Sequence, residues 1–301
     1  MPFVSQLGVD KLLSQVSLRY SSKDFLADKI FPELMVKKDS DLYRIYTQDF
    51  RIPETVRANK GVANEHFWEV SSASYLLEDH ALKDYISDDD IDNYDNADLR
   101  ADTVEELTDV IMRRREKSVL DLFTTTNWSL NVSLAAANAW TEGTTVSNPI
   151  PVVDTAATTI LNNSGKMPNY GIISRTGFVG AKNHQSVLDR LKYTSAEVTV
   201  KMMAGLFDLE EFMVSKAQQD TSARGATSVQ GSMLGDICFV GWKPSRPSPK
   251  APSAGYIFRK DVPMVRRWRD DERNAEAIEV RAKYQAKIVA SLCGYLIKDI
   301  E

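Results

Sequence analysis

Few residues in this chain have the types and spacing that could do chemistry. Asp88-Asp89-Asp90-Ile91-Asp92 puts carboxylates at the alternate positions from which a calcium loop begun at Asp88 would take its ligands. Such a loop needs glycine where Asn93 stands and a closing glutamate where Leu99 stands, so we read the cluster as a solvated acidic turn. Gly177-Phe178-Val179-Gly180-Ala181-Lys182 has neither the spacing of a phosphate-cradling loop nor the Ser or Thr after its lysine, and helix packing explains its glycines. His66, His80 and His184 are scattered and lack a partner set for nucleophilic catalysis. Cys238 and Cys293 each sit in an apolar, strand-like run and read as buried thiols, not as a disulfide or metal pair. No Gly-x-Ser-x-Gly elbow occurs. No catalytic residue, cofactor or metal is expected, and the chain is not read as an enzyme.

The elements around these residues read as a framework. Glu78 to Asp109 carries thirteen Asp and Glu against only Lys83 and Arg100, and leads into the longest helical pattern. Residues 99–127 contain no Gly or Pro, and Asp102 or Thr103 with Glu105 and Glu106 makes a capped start. Val104, Leu107, Ile111, Val119, Leu122 and Phe123 form an apolar stripe at three- and four-residue spacing. Arg113-Arg114-Arg115-Glu116-Lys117 interrupts it. That basic run reads either as a solvated face with internal salt links or as a contact to an acidic neighbouring chain. Before the helix, residues 41–52 and 67–77 read as two strands of a long hairpin. Arg57, Asn59 and Lys60 lie on one side of Gly61 at its tip, and Glu65 on the other. A ribbon that long is barely stable alone and should lie against a neighbour.

After residue 127 the pattern becomes mixed. A helix started by Pro149 or Pro151 should stop at Gly165, followed by a strand over 170–174 and one helix over 176–193. A short helix is expected over 198–207, and strands over 209–215 and 236–242. Residues 218–232 read as a polar loop, and Pro244, Pro247, Pro249 and Pro252 crowd into another. Strands are predicted over 255–258, 262–268 and 278–300, the last with a bend. Without a βαβ rhythm or an internal repeat, the fold class is α+β. A net charge of −5 gives no general attraction to nucleic acid or anionic membrane, and no apolar run is long enough to span a bilayer.

Pro168-Asn169, Ile172-Ile173-Ser174, His184 and Leu188-Asp189-Arg190-Leu191-Lys192-Tyr193 resemble the start of the axial domain of tailed-bacteriophage major capsid proteins. Residues 204–214 continue the likeness, as do Gly255-Tyr256-Ile257-Phe258 and the closing run from Lys287 to Ile297. Gln185 replaces the family's usual proline. The resemblance is soft at any one place but ordered over nearly the whole chain. It implies the fold of bacteriophage Hong Kong 97. The arm would be residues 1–38, the extended hairpin (E-loop) 39–85, and the peripheral domain 86–148 with a spine helix near 99–127. The axial domain would be 149–272, with C-terminal strands over 273–301 returning to the peripheral domain.

The implied function is a shell subunit that forms hexamers and pentamers around phage double-stranded DNA, in a virion assembled from protein made in the host cytoplasm. Implied partners are other copies of the chain, a portal, a decoration protein and a separate scaffolding protein, since the sequence starts at Met1 with the arm itself. No membrane partner is expected. Arg57, Asn59, Lys60 and Glu65 are the expected hairpin-tip contacts to an adjacent subunit, and Arg113, Arg114 and Arg115 the next candidates for salt links between subunits. Lys60 is also where a covalent cross-link between subunits would start, although an exposed loop lysine needs no such role. An encapsulin-type compartment is the alternative within the same fold. A soluble hydrolase is the reading from another class, and it lacks a catalytic constellation.

Overall fold

The structure is a computed structural model that describes residues 25–46, 55–57, 61, 62, 65, 70–93, 99–134, 138–142, 148–191, 198–223, 225–249, 251–260 and 263–301. Most of the predicted arm and much of the hairpin tip, including Asn59 and Lys60, lie outside these residues.

Two five-stranded sheets carry the architecture. The first is built on β13 (Ala275–Ile288), a strand of 14 residues. β11 (Gly255–Arg259) and β12 (Met264–Asp270) follow one another along one edge of β13, and β4 (Glu78–Ser87) takes the other. β1 (Glu33–Met35) adds to β11 in parallel. The spine helix, α3 (Leu99–Leu120), packs on this sheet through Val104, Ile111 and Val119 against Val280, Ala282 and Tyr284. Its 22 residues span ~33 Å at ~1.5 Å each. It ends earlier than the predicted residue 127 because Asn127 Nδ2 and Trp128 Nε1 turn back and both donate to the Leu122 carbonyl at 3.1 Å. Those bonds satisfy a carbonyl that a continuing helix would have used.

The second sheet has the order β5 (Asn131–Ser133), β14 (Gly294–Lys298), β10 (Ile237–Gly241), β6 (Tyr170–Ile173), β7 (Glu211–Val214). It is covered on both faces, which explains the unbroken apolar runs in β10 and β6. Cys238 and Val240 face a core with Ile150, Val153, Ile160 and Phe178, while Phe239 turns the other way. Phe239 meets Phe123 at 4.7 Å and Trp128 at 4.6 Å, so this one residue joins the second sheet to the C-terminal end of the spine helix. Gly294 permits that contact, since a Cβ there would stand 2.4 Å from Phe239 and 2.5 Å from Trp128.

β11 and β12 pair into the first sheet, and β14 into the second. Local signals fared well at α4 (Pro149–Ser164). Asn148 accepts from Ile150 N at 3.1 Å, Pro149 opens the helix, and Gly165 closes it at φ 63°. The single helix expected over 176–193 is instead α5 (Arg175–Asn183) and α6 (Gln185–Leu191). His184 is extended between them and its Nδ1 accepts from Ser186 N, serving as the cap of the second helix. Between α6 and β7 lies a further helix, α7 (Val200–Leu206), in the place expected.

The acidic cluster is a short helix, α2 (Asp88–Asn93), not a bare turn. Ser87 and Asp90 cap it reciprocally, and Asp88 forms a two-pronged ion pair with Arg269 of β12. Arg269 holds the Asp88 carboxyl below the ordinary range. Among the described residues, no group of three or more His, Cys, Asp or Glu is placed to hold a metal ion. No described helix is long and apolar enough to cross a membrane.

Candidate assembly surfaces

Three features project from this framework or tie it down: a β-ribbon, the basic run of the spine helix, and the N-terminal segment clamped beneath it. The ribbon pairs β2 (Ser40–Tyr46) with β3 (Val70–Leu76). Alternation divides its two faces. Tyr43 and Tyr75 point to Phe258 of β11, with ring centroids at 5.3 and 4.8 Å, the second pair stacked. The base is further held by Leu77 N donating to Asp39 O, by Leu76 N donating to Gln285 Oε1, and by Lys260 and Lys283 converging on the Asp39 carboxylate. The opposite face bears Leu42 and Leu76, each more than 60% exposed, in a register that puts them within one strand pair of each other. One face of the ribbon is therefore spent within the chain, and the other presents two exposed leucines among serines.

Beyond the strands, Arg57 and Glu65 are exposed, as are Val56 and Val62. Arg57 and Glu65 thus stand where contacts to a neighbour could form.

The basic run divides along the helix. Arg113 is exposed and pairs with Asp109 one turn back at 2.5 Å. Arg114 is exposed. Arg115 turns inward, buried, to ion pairs with Asp28 and Glu33, and its guanidinium lies 5.8 Å from the Tyr284 ring centre. Glu33 is shared with Arg259 of β11 at 3.1 Å. Arg115 is therefore an intramolecular residue, and of the three arginines only Arg113 and Arg114 present themselves outward.

Beside it Glu116 is fully buried, and its Oε2 accepts from Leu26 N at 2.9 Å and Ala27 N at 2.6 Å. It supplies the acceptor that the first turn of α1 (Ala27–Ile30) lacks in its own cap residue, Leu26. Burial raises the Glu116 carboxyl above its ordinary value, against the opposing backbone hydrogen bonds. Together Arg115 and Glu116 fasten residues 26–33 to the spine helix, with Ile30 and Phe31 buried between them and the core. Sequence reasoning missed this clamp and the Phe258 anchor. A signal for the clamp existed: Arg115 lies midway between Ile111 and Val119, four residues from each, on the apolar stripe itself.

Sequence likeness runs end to end. The chain is 24% identical over 298 residues, 97% of its length, to the major capsid protein of Burkholderia phage BcepMu, covering 96% of that protein. No protein-family model matches it. Among solved structures, a phage-related protein from Bordetella bronchiseptica RB50 superposes with a TM-score of 0.78 at 24% identity, covering 98% of both chains. The capsid structure of the cyanophage P-SCSP1u gives 0.62 at 10% identity, over 89% of this chain and 86% of that one. The chain has the Hong Kong 97 capsid fold. Mixed α and β composition, with a ribbon ahead of a long helix, agrees with the expectation from sequence.

Proposed function

We propose that this chain is the major capsid protein of a tailed phage, assembling with copies of itself into the icosahedral shell of the head. The observation that carries this reading is the end-to-end likeness to a phage major capsid protein, in a chain whose ribbon keeps Leu42 and Leu76 exposed. Hexamers and pentamers are the building units, and double-stranded DNA the content. The mechanism is multivalent. Each subunit makes several modest contacts, and closure of the lattice makes them hard to lose together.

Within this reading residues 39–85 act as the E-loop, although β4 also completes the first sheet. That sheet with α3 is the peripheral domain, and the second sheet with α4 to α7 is the axial domain. Arg57, Asn59, Lys60 and Glu65 contact an adjacent subunit, joined by Arg113 and Arg114; Arg115 leaves this set because its partners are in its own chain. A scaffolding protein, portal and decoration protein complete the head, which forms in the host cytoplasm.

Negative-stain electron microscopy with particle mass by light scattering tests the reading. Closed shells or rings of subunits are expected, from the chain alone or co-expressed with a scaffold. A chain that stays monomeric with every scaffold supplied would overturn it. Packaged DNA is expected in particles from infected cells; protein cargo in its place would point to an encapsulin-type compartment. The double reversal Arg57→Glu with Lys60→Glu should suppress shells while leaving the monomer folded, and normal shells would remove the tip from the interface.

A further inference from the structure

The two sheets form two lobes, joined by the chain segments 121–130, 242–254 and 289–293. These segments are laced to one another. Trp242 N donates to Cys293 O at 2.9 Å, Ala254 N to Trp242 O at 3.0 Å and Ala290 N to Ser253 O at 3.1 Å. With the ring contacts of Phe239 to Phe123 and Trp128 they make a waist, the place about which two packed lobes can turn.

A further, non-covalent contact spans both lobes. α1 is a single turn, too short to satisfy its own end groups. Its leading amides, Leu26 N and Ala27 N, donate to Glu116 of the spine helix, in the first lobe. Near its other end the Lys29 carbonyl accepts from Lys243 Nζ at 2.5 Å. A carboxylate thus meets the amide end and an ammonium the carbonyl end, the signs that each end favours. Lys243 in turn is fixed to the second lobe. Asn169 Nδ2 donates to its carbonyl at 2.9 Å, and its own N–H donates to Asn169 Oδ1 at 3.0 Å. Its Nζ also donates to Glu211 Oε2 of β7 at 2.9 Å and stands 5.0 Å from the centre of the Tyr170 ring. A lysine ordered along its whole length gives up rotamer freedom that a solvated loop charge would keep.

We propose that α1 is a bolt between the lobes. With Lys243 seated on the Lys29 carbonyl the angle between the two sheets is fixed, and with that bond open the lobes turn about the waist. Lys243 is the positioning residue of this device. Glu116, Arg115 and the pairing of β1 with β11 hold the other side of the bolt to the first lobe. In a shell the lobe angle sets how neighbouring subunits incline to one another, so the bolt sets curvature. That consequence rests on the shell reading above; the bolt itself does not.

Paired spin labels on the full chain test it, at Ala81→Cys on β4 and Asp154→Cys on α4, both exposed positions, while the native Cys238 and Cys293 are buried. The parent should give a single narrow distribution of inter-lobe distance by double electron–electron resonance. Lys243→Met, which keeps the aliphatic stem and removes the donor, should widen that distribution roughly twofold, and Lys243→Arg should restore it. Glu211→Gln removes the ion pair within the second lobe and leaves the Lys29 carbonyl bonded, so it should keep the parental distribution. A parental distribution in Lys243→Met would overturn the proposal, as would Glu211→Gln widening it equally. If Lys243→Met loses the parental circular dichroism, Lys243→Gln is read against the same two outcomes. Shells of Lys243→Met should vary in diameter where parental shells are uniform, and uniform shells from the variant would overturn the consequence for curvature. A parent chain that never assembles would sink the shell reading and leave the distance measurement standing.

Discussion

The described residues contain two β-ribbons, and they are stabilised in opposite ways. β2–β3 buries one aromatic face on Phe258 and leaves charged residues at its tip. No described residue of the other, β8 (Gln218–Asp220) with β9 (Gln230–Ser232), is fully buried, and its strand pairing is joined by one carboxylate, that of Asp220, which accepts from both arms. The first is positioned by the body of the protein; the second is shaped by itself. An anchored ribbon can reach away from its root and still hold a direction, which suits a contact to a different part of a neighbour. A self-shaped ribbon keeps its form without a packed face.

The largest effect should come from removing the anchor. Phe258→Ala deletes a buried ring that touches Tyr43, Tyr75 and Tyr256, and should cost about 3–5 kcal/mol. Hydrogen exchange should rise in residues 40–46 and 70–76 more than in 218–232. Equal increases in both ribbons would erase the contrast drawn between them.

The clamp on the spine helix should come next, and it sharpens the distinction between outward and inward arginines. Arg115→Ala leaves Asp28 and Glu33 without their main partner and should destabilise by about 3 kcal/mol. Arg113→Ala, which breaks only an exposed i,i+4 pair, should change stability by no more than about 0.5 kcal/mol. Denaturant unfolding of both variants checks this, and comparable losses would contradict the placement of Arg115.

The smallest effect should be the pH response of the second ribbon. The Ser222 hydroxyl and N–H, with help from Ser228 and the Val229 N–H, hold the Asp220 carboxyl well below its ordinary range. A carboxyl depressed in the folded state contributes stability that is present above its unfolded value near 3.8 and lost as pH falls through the folded value. Amide exchange at Ser222 and Val229 should therefore stay slow at neutral pH and quicken only in strong acid. Asp220→Asn should remove most of that acid dependence while leaving the rest of the chain unchanged. Acid-quickened exchange that persists in Asp220→Asn would assign it to another group.

Much of the framework is legible in the amino-acid sequence. The caps of α4, Asn148 with Pro149 and then Gly165, act within a few residues of themselves, so their signal is local. The apolar runs of β6 and β10 and the alternation of β2 and β3 are set by which faces must be covered, and that pattern is written residue by residue. The order of elements, together with the resemblance at residues 168–214 and 255–297, carried the fold.

What the tertiary structure decided are matters of distance along the chain. The stripe puts Arg115 on the inward face, but the partners that accept its charge, Asp28 and Glu33, lie more than eighty residues away. The spine helix stops at Leu120 because Trp128 reaches back, and Glu116 is buried because two amides of the N-terminal segment need an acceptor. Strands β11 and β12 join one sheet because β13 is long enough to pair with both. The sequence by itself determined the caps of α4 and the runs of β6 and β10, because those choices follow from neighbours within a turn or a pleat. Which buried charge meets which partner was decided only in three dimensions, because a charge is tolerated inside a protein only where a distant segment brings its complement.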